Sequence, residues 1–397
     1  MNSLTNSDLK ESVWVKSLGI LLIVRVGIDG FLNFRLVGLQ ATQVFGATFA
    51  VIGFFYIFAQ QFRMLLNSVL IFNLLLASTY FGSLYWGRLG FDEFVRTLSV
   101  FGVFLLASRA TSYLSLLKFF LCVRLSSVLC ALVAIIQFAT SSNGVFVSGV
   151  WRYPGFFYGS NVAAILYVIS IVSEVTILKN TRRITGRASI VISSIGLILT
   201  FSLSGFILLP LVLFLKRAFE RWHGERGKVI VSLFSSLFFT AALYASLSDL
   251  RVKVNRSIVP VYQGNATGES SLQWRLNAWS RLIEFFNDKP ILGQGFGSTR
   301  NLNMAGSFLP HNEYLRSLIE VGLLGTIILT VLYVIVIRNL AIAYLKLNHE
   351  FLLFMLVMTL ALCINAFSEN TFTYTVPQMI IATGLGFYKS KVWEMRL

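Results

Sequence analysis

Charge is scarce in this chain. Aspartate, glutamate, lysine and arginine make up 13% of its 397 residues, where an ordinary soluble domain carries about 25%. That argues against a soluble globular fold of this size. Cysteine is scarce as well. Cys122, Cys130 and Cys363 each sit inside an apolar run, so they read as small buried side chains and not as a disulfide frame. No cluster of His, Cys or Asp has metal-ligand spacing, and no phosphate-cradling loop ending in Gly-Lys-Ser/Thr is present. The sequence therefore predicts no metal site, no cofactor and no direct use of ATP.

Apolar length is what the chain has in abundance. It is 56% hydrophobic, and uninterrupted stretches of about 20 residues, enough to cross the hydrocarbon as a helix, recur throughout. They predict an all-α polytopic bundle of about twelve transmembrane helices, at 14–34, 37–59, 64–86, 92–108, 117–140, 159–178, 188–202, 203–216, 229–248, 317–337, 350–368 and 376–388. The seventh and eighth come from one run, Ala188 to Leu215, broken at Ser202, Ser204 and Gly205. The run is too long for one ordinary span, so a tight helical hairpin is expected.

The formal net charge of +16 resides mostly in short connections, where basic residues orient helices and imply no nucleic acid. One connection holds Lys179, Arg182, Arg183 and Arg187. A second holds Lys216, Arg217, Arg221, Arg226 and Lys228. The C-terminus adds Lys389, Lys391 and Arg396. Twelve spans put all three on one side, which is then cytoplasmic together with both termini. The opposite loops at 87–91 and 369–375 are short and carry little charge. The expected organisation is nine spans in 1–248, one long outer segment at 249–316, and three spans in 317–397. Across Asp249 to Arg316, eight basic residues face five acids, a hint of an anionic ligand. Within it, Ser270 to Asn287 has helical spacing, with Leu272, Leu276, Trp279, Leu282 and Ile283 on one stripe. Lys289-Pro290 ends that helix, and Gly293, Gly295 and Gly297 predict a turn.

Three places could carry chemistry. His311 follows Pro310 and precedes a helical pattern, with Asn312 a fitting N-cap. A helix N-terminus favours anions, and a histidine there can act as a general base or simply cap the helix. Arg152, in Trp151-Arg152-Tyr153-Pro154-Gly155 before Asn161, can grip phosphate in a bidentate way or anchor the chain among aromatics. Arg275 and Arg281 lie on the helix of the outer segment, where they bind a ligand or form a solvated face. Arg25 and Asp29 form an i,i+4 pair that would neutralise itself, while Arg96, Arg124 and Glu174 are expected near span ends, snorkelling to the interface.

The string His311-Asn312, nine residues, Gly322, two residues, Gly325 resembles the signature of the O-antigen ligases. Arg152-Tyr-Pro-Gly with Asn161, and Arg275-Leu-Asn-Ala-Trp279 before Pro290-Ile-Leu-Gly-Gln-Gly295, resemble the same family. The related repeat-unit polymerases for O-antigen, capsule and exopolysaccharide share this loop architecture. The family's Thr-x-Ser-Arg in the central hairpin is not matched, since Leu203 follows Thr200-Phe-Ser202. The resemblance implies a bacterial inner-membrane glycosyltransferase with a periplasmic site. Its donor would be a glycan on undecaprenyl pyrophosphate. Its acceptor would be a sugar hydroxyl of lipid A-core, or of a second lipid-linked glycan in a polymerase. His311 would serve the acceptor, Arg152 and Arg275 the pyrophosphate, with Asn161, Arg281 and Asn312 in support. A transporter, the competing class, would show inverted halves and midplane charges; neither is evident in the sequence.

Overall fold

The computed structural model describes residues 88–110, 112–147, 150–157, 159–178, 183–220, 271–301 and 311–394, with isolated positions at 20–40 and 248–255. The described chain is mostly helical. Its helices are α1 (Arg88–Ala107), α2 (Tyr113–Ala139), α3 (Ser160–Thr176), α4 (Arg183–Leu199), α5 (Leu203–Glu220), α6 (Ser271–Asp288), α7 (Ser298–Asn301), α8 (Glu313–Leu347), α9 (Glu350–Asn365) and α10 (Thr375–Ser390). Helices α1–α5 and α8–α10 occupy positions where spans were expected. The expected spans at 37–59, 64–86 and 229–248, most of 14–34, and the Arg25–Asp29 pair lie outside the described residues.

Among the described residues, two helices are long and apolar enough to cross a membrane, α2 with 27 residues and α8 with 35. Both leave apolar faces uncovered: Leu121, Leu125, Leu132 and Ile136 on α2, and Leu324, Ile327, Val331 and Val334 on α8. Exposed leucines repeating every three to four residues make a stripe that water disfavours and lipid does not. The opposite faces are packed. Phe120 meets Phe354 edge-on at 5.1 Å between ring centres, and Phe119 meets Phe387 at 5.8 Å. These contacts tie α2 to α9 and α10 around a core shared with α3.

The ends of these helices follow local rules. The Ser112 hydroxyl accepts from Leu114 N at 3.2 Å and starts α2. The long apolar run does break into α4 and α5, with Thr200–Ser202 between them. Thr200 Oγ1 donates to the Leu197 carbonyl at 2.6 Å, satisfying one of the last acceptors of α4.

Arg124 and Glu174 correct one expectation. They do not snorkel. The Arg124 guanidinium grips the Glu174 carboxylate through two nitrogens, one at 2.7 Å, and their side chains are only 12% and 2% exposed. A buried charge is tolerable when paired this way. Arg96 likewise turns to Glu93, at 3.0 Å on its own helix.

The helix at 271–288 departs from its expected stripe. On α6, Leu282 is buried with Ile319 of α8, flanked by Trp279, Phe285 and Phe286, while Leu276 and Ile283 are exposed. The buried line passes through Ala278 and Leu282, and Leu282 packs on Ile319 of α8.

Helix α8 holds a second surprise. Gly322 has φ +68 and ψ −175, so the helix is broken there into Glu313–Val321 and Leu323–Leu347. The backbone of the Pro290–Gly295 turn fills the break. Gln294 N and Gly295 N donate to the Ile319 and Glu320 carbonyls at 2.6 and 2.9 Å, and Leu323 N and Leu324 N donate to Pro290 and Ile291 at 2.8 and 3.2 Å. These four bonds replace those the broken helix loses. A Cβ on Gly322 would lie 2.3 Å from the Ile291 carbonyl oxygen, and one on Gly293 would lie 2.4 Å from Gly322 N. Gly322 therefore receives a loop.

Candidate functional site

His311 lies just before α8. Asn312 is the N-cap, and its Oδ1 accepts from Tyr314 N and Leu315 N, both at 3.1 Å. His311 itself is held at φ +50, a conformation non-glycine residues adopt rarely and often at functional sites. Its ring is set edge-on to Trp274 of α6, 6.0 Å between centres.

Glu369 joins the parts. It sits in the short connection between α9 and α10 and is 3% exposed. Its Oε2 accepts from Asn161 Nδ2 at 2.8 Å and from the Tyr374 hydroxyl at 3.2 Å, and it lies 3.3 Å from His311 Nδ1. Its Oε1 lies 3.6 Å from Arg275 Nη2. Burial works against the Glu369 charge, yet His311, Arg275 and the Asn161 amide together hold its carboxyl below the ordinary range.

The arginines arrive from two sides. Arg152 ends a short hairpin in which Val145–Val147 pairs antiparallel with Val150–Arg152, and its Nη1 donates to Ser160 Oγ at 3.1 Å. Arg275 Nη1 donates to the Ser368 carbonyl at 3.0 Å. Burial pulls the Arg152 guanidinium down to about 10; the Glu369 charge opposes that fall and the nearby Arg275 adds to it. Each arginine keeps a buried Nε–H without a hydrogen-bond partner among the described residues. Two guanidiniums around one carboxylate leave the site cationic, with unused donors, which is what a polyanion requires.

Of the residues singled out in sequence, the structure gathers His311, Arg152, Arg275 and Asn161 around Glu369, with Asn312 as the cap. Arg281 is exposed and lies six positions beyond Arg275, on another face of α6, so it stands apart. Glu369 was missed. Its only sequence signal was being an acid in an otherwise uncharged outer loop. Ser202 was noted for the absent arginine after it; its hydroxyl donates to Asn161 Oδ1 at 2.7 Å, linking the α4–α5 hairpin to the site.

A second charged group lies beside the first. Arg316, 5% exposed, faces Glu93 and Glu320 at 3.1 Å each and Glu313 at 3.6 Å, and Thr299 Oγ1 donates to Glu320 Oε1 at 2.5 Å. This group ties α1, α7 and α8 together and lines a cavity of about 330 Å³ that continues past Thr330 to Ile337. Three carboxylates around one guanidinium make it unsuited to an anion.

A family model described as O-antigen ligase matches residues 188–330. That stretch includes Arg275, His311, Asn312 and Gly322 but not Arg152, Asn161 or Glu369. No curated protein matches the chain.

Proposed function

We propose, from the match of residues 188–330 to the O-antigen ligase family, that this membrane chain moves a glycan from undecaprenyl pyrophosphate to a sugar hydroxyl of lipid A-core. The reaction takes place on the periplasmic face of the bacterial inner membrane. In this reading twelve spans surround the site and both termini are cytoplasmic. The observation that carries it is the convergence of Arg275 and His311 on Glu369, with Arg152 held at Ser160, next to the Asn161 that donates to the same carboxylate. Arg152 and Arg275 bind the pyrophosphate and stabilise the charge that grows on it as it leaves. His311 accepts the proton of the attacking hydroxyl. Pyrophosphate is a good leaving group, so the step calls on neither ATP nor a metal.

The mismatch after Thr200-Phe-Ser202 removes one ligase feature, and the second reading is a repeat-unit polymerase with the same donor and the same loop architecture. The lipid-linked glycan pool of a deletion strain separates the two. A strain lacking a ligase keeps long polymer on the carrier and loses it from lipid A, whereas one lacking a polymerase holds a single repeat. Complementation with His311→Ala tests the site in either case. A loss of about 10²–10⁴ in transfer is expected for a general base, and full transfer would remove His311 from the mechanism.

A further inference from the structure

On the glycosyl-transfer reading above, we propose that Glu369 is a positioning residue that fixes His311 as the Nδ1–H tautomer. Nε2 is then the atom that takes the acceptor's proton.

The inference follows from counting donors and acceptors. A carboxylate only accepts, and the contacts that favour its ionised form keep Glu369 charged. Oε2 already accepts from the Asn161 amide and the Tyr374 hydroxyl. The third group at Oε2 is His311 Nδ1, at 3.3 Å. A neutral imidazole fits there only with its proton on Nδ1, since the other tautomer sets lone pair against lone pair. The remaining surroundings leave this unchanged. Trp274 presents a ring edge-on, Arg275 stands at the far oxygen of Glu369, Arg152 is turned to Ser160, and Asn312 is committed to its cap. His311 Nε2 has no hydrogen-bond partner among the described residues, and the side chain is 26% exposed. The basic nitrogen is thus free to meet a substrate.

In the transfer, the acceptor's O–H bond breaks and its proton goes to Nε2. The freed oxygen pair forms the new bond to the anomeric carbon. The bond from that carbon to pyrophosphate breaks, and its electron pair leaves with the undecaprenyl pyrophosphate. The imidazolium that results is stabilised by Glu369, which does not itself take the proton. The ring later returns its proton to water.

His349 supplies an internal contrast. Its Nδ1 accepts from Phe351 N at 3.1 Å, which requires the opposite tautomer, with the proton on Nε2. The chain has three histidines, so ¹⁵N-histidine labelling of the full-length protein in detergent gives few signals, and His311→Gln and His349→Gln identify two of them. In the neutral form, His311 is expected to show an unprotonated Nε2 and His349 an unprotonated Nδ1. In cells, Glu369→Gln keeps the shape but loses the charge and can turn its NH₂ toward Nδ1. Transfer should fall about tenfold or more with membrane abundance unchanged, and by no more than the roughly 10²–10⁴ that the general base itself contributes. An Nε2–H tautomer at His311 in the parent protein overturns the inference. So does full transfer by Glu369→Gln when His311→Ala has none, and the glycosyl-transfer reading then survives. If His311→Ala itself retains transfer, the role of His311 falls and this inference with it. Should Glu369→Gln fail to accumulate, the parent tautomer decides.

Discussion

Asn161 donates to Glu369 at 2.8 Å across 208 residues of sequence. Its amide oxygen accepts from Ser202, so both ends of the side chain are in use and its orientation is fixed. Removing the donor leaves a buried carboxylate short of a partner. Asn161→Leu should cost about 1–3 kcal/mol, seen as a lower Tm of the detergent-solubilised chain. A Tm equal to the parent's would show that the amide contributes nothing to holding Glu369.

Glu369 also predicts how stability varies with pH. Its carboxyl is held lower in the folded chain than in the unfolded one. Such a group adds stability above the ordinary carboxylate pKa of about 4.3, and that stability is lost as pH falls through the folded pKa. The parent's Tm should therefore drop on acidification below about pH 4 more steeply than that of Glu369→Gln, which has no proton to gain there. Parallel Tm curves would contradict the electrostatic account of the site.

The Arg124–Glu174 pair makes a different kind of test. Replacing one partner leaves a buried charge alone, at a cost of about 3–5 kcal/mol. Arg124→Met or Glu174→Gln should thus lower Tm or abundance markedly. The double replacement Arg124→Met with Glu174→Met should recover much of the loss, because two apolar side chains can substitute for a buried pair. Additive losses would mean that each residue acts independently of the other.

Gly322→Ala should loosen the Pro290–Gly295 turn. A side chain at φ +68 is strained, and its Cβ would meet Ile291 O at 2.3 Å and Gly293 N at 2.5 Å. Strain of about 1–3 kcal/mol falls on the four hydrogen bonds that hold the Pro290–Gly295 turn. Faster proteolytic cleavage near Leu292, with the spans intact, is the expected outcome, and an unchanged cleavage rate would count against a tight clasp.

Much of this architecture was legible in sequence, for identifiable reasons. The hairpin break at Ser202 could be read because one apolar run was too long for a span. The cap at Asn312 could be read because capping is local. His311, Arg152 and Arg275 could be singled out one at a time. What joins them could not. Glu369 is 58 residues from His311, alone in a short loop, and no periodicity reports which acid faces which base across separate helices. The same holds for Arg124 and Glu174, 50 residues apart. The break at Gly322 was hidden because the apolar pattern continues in register on both sides of it.

That break makes a joint. Val321 ends one rod and Leu323 begins another. His311 rides at the head of the short rod, which is held by the Pro290–Gly295 turn. The long rod carries the exposed stripe Leu324, Ile327, Val331 and Val334, the face that lipid favours over water. The same turn bonds both rods, at Ile319 and Glu320 on one side and at Leu323 and Leu324 on the other, so it splints the joint and fixes the angle at which the histidine's rod meets the long one.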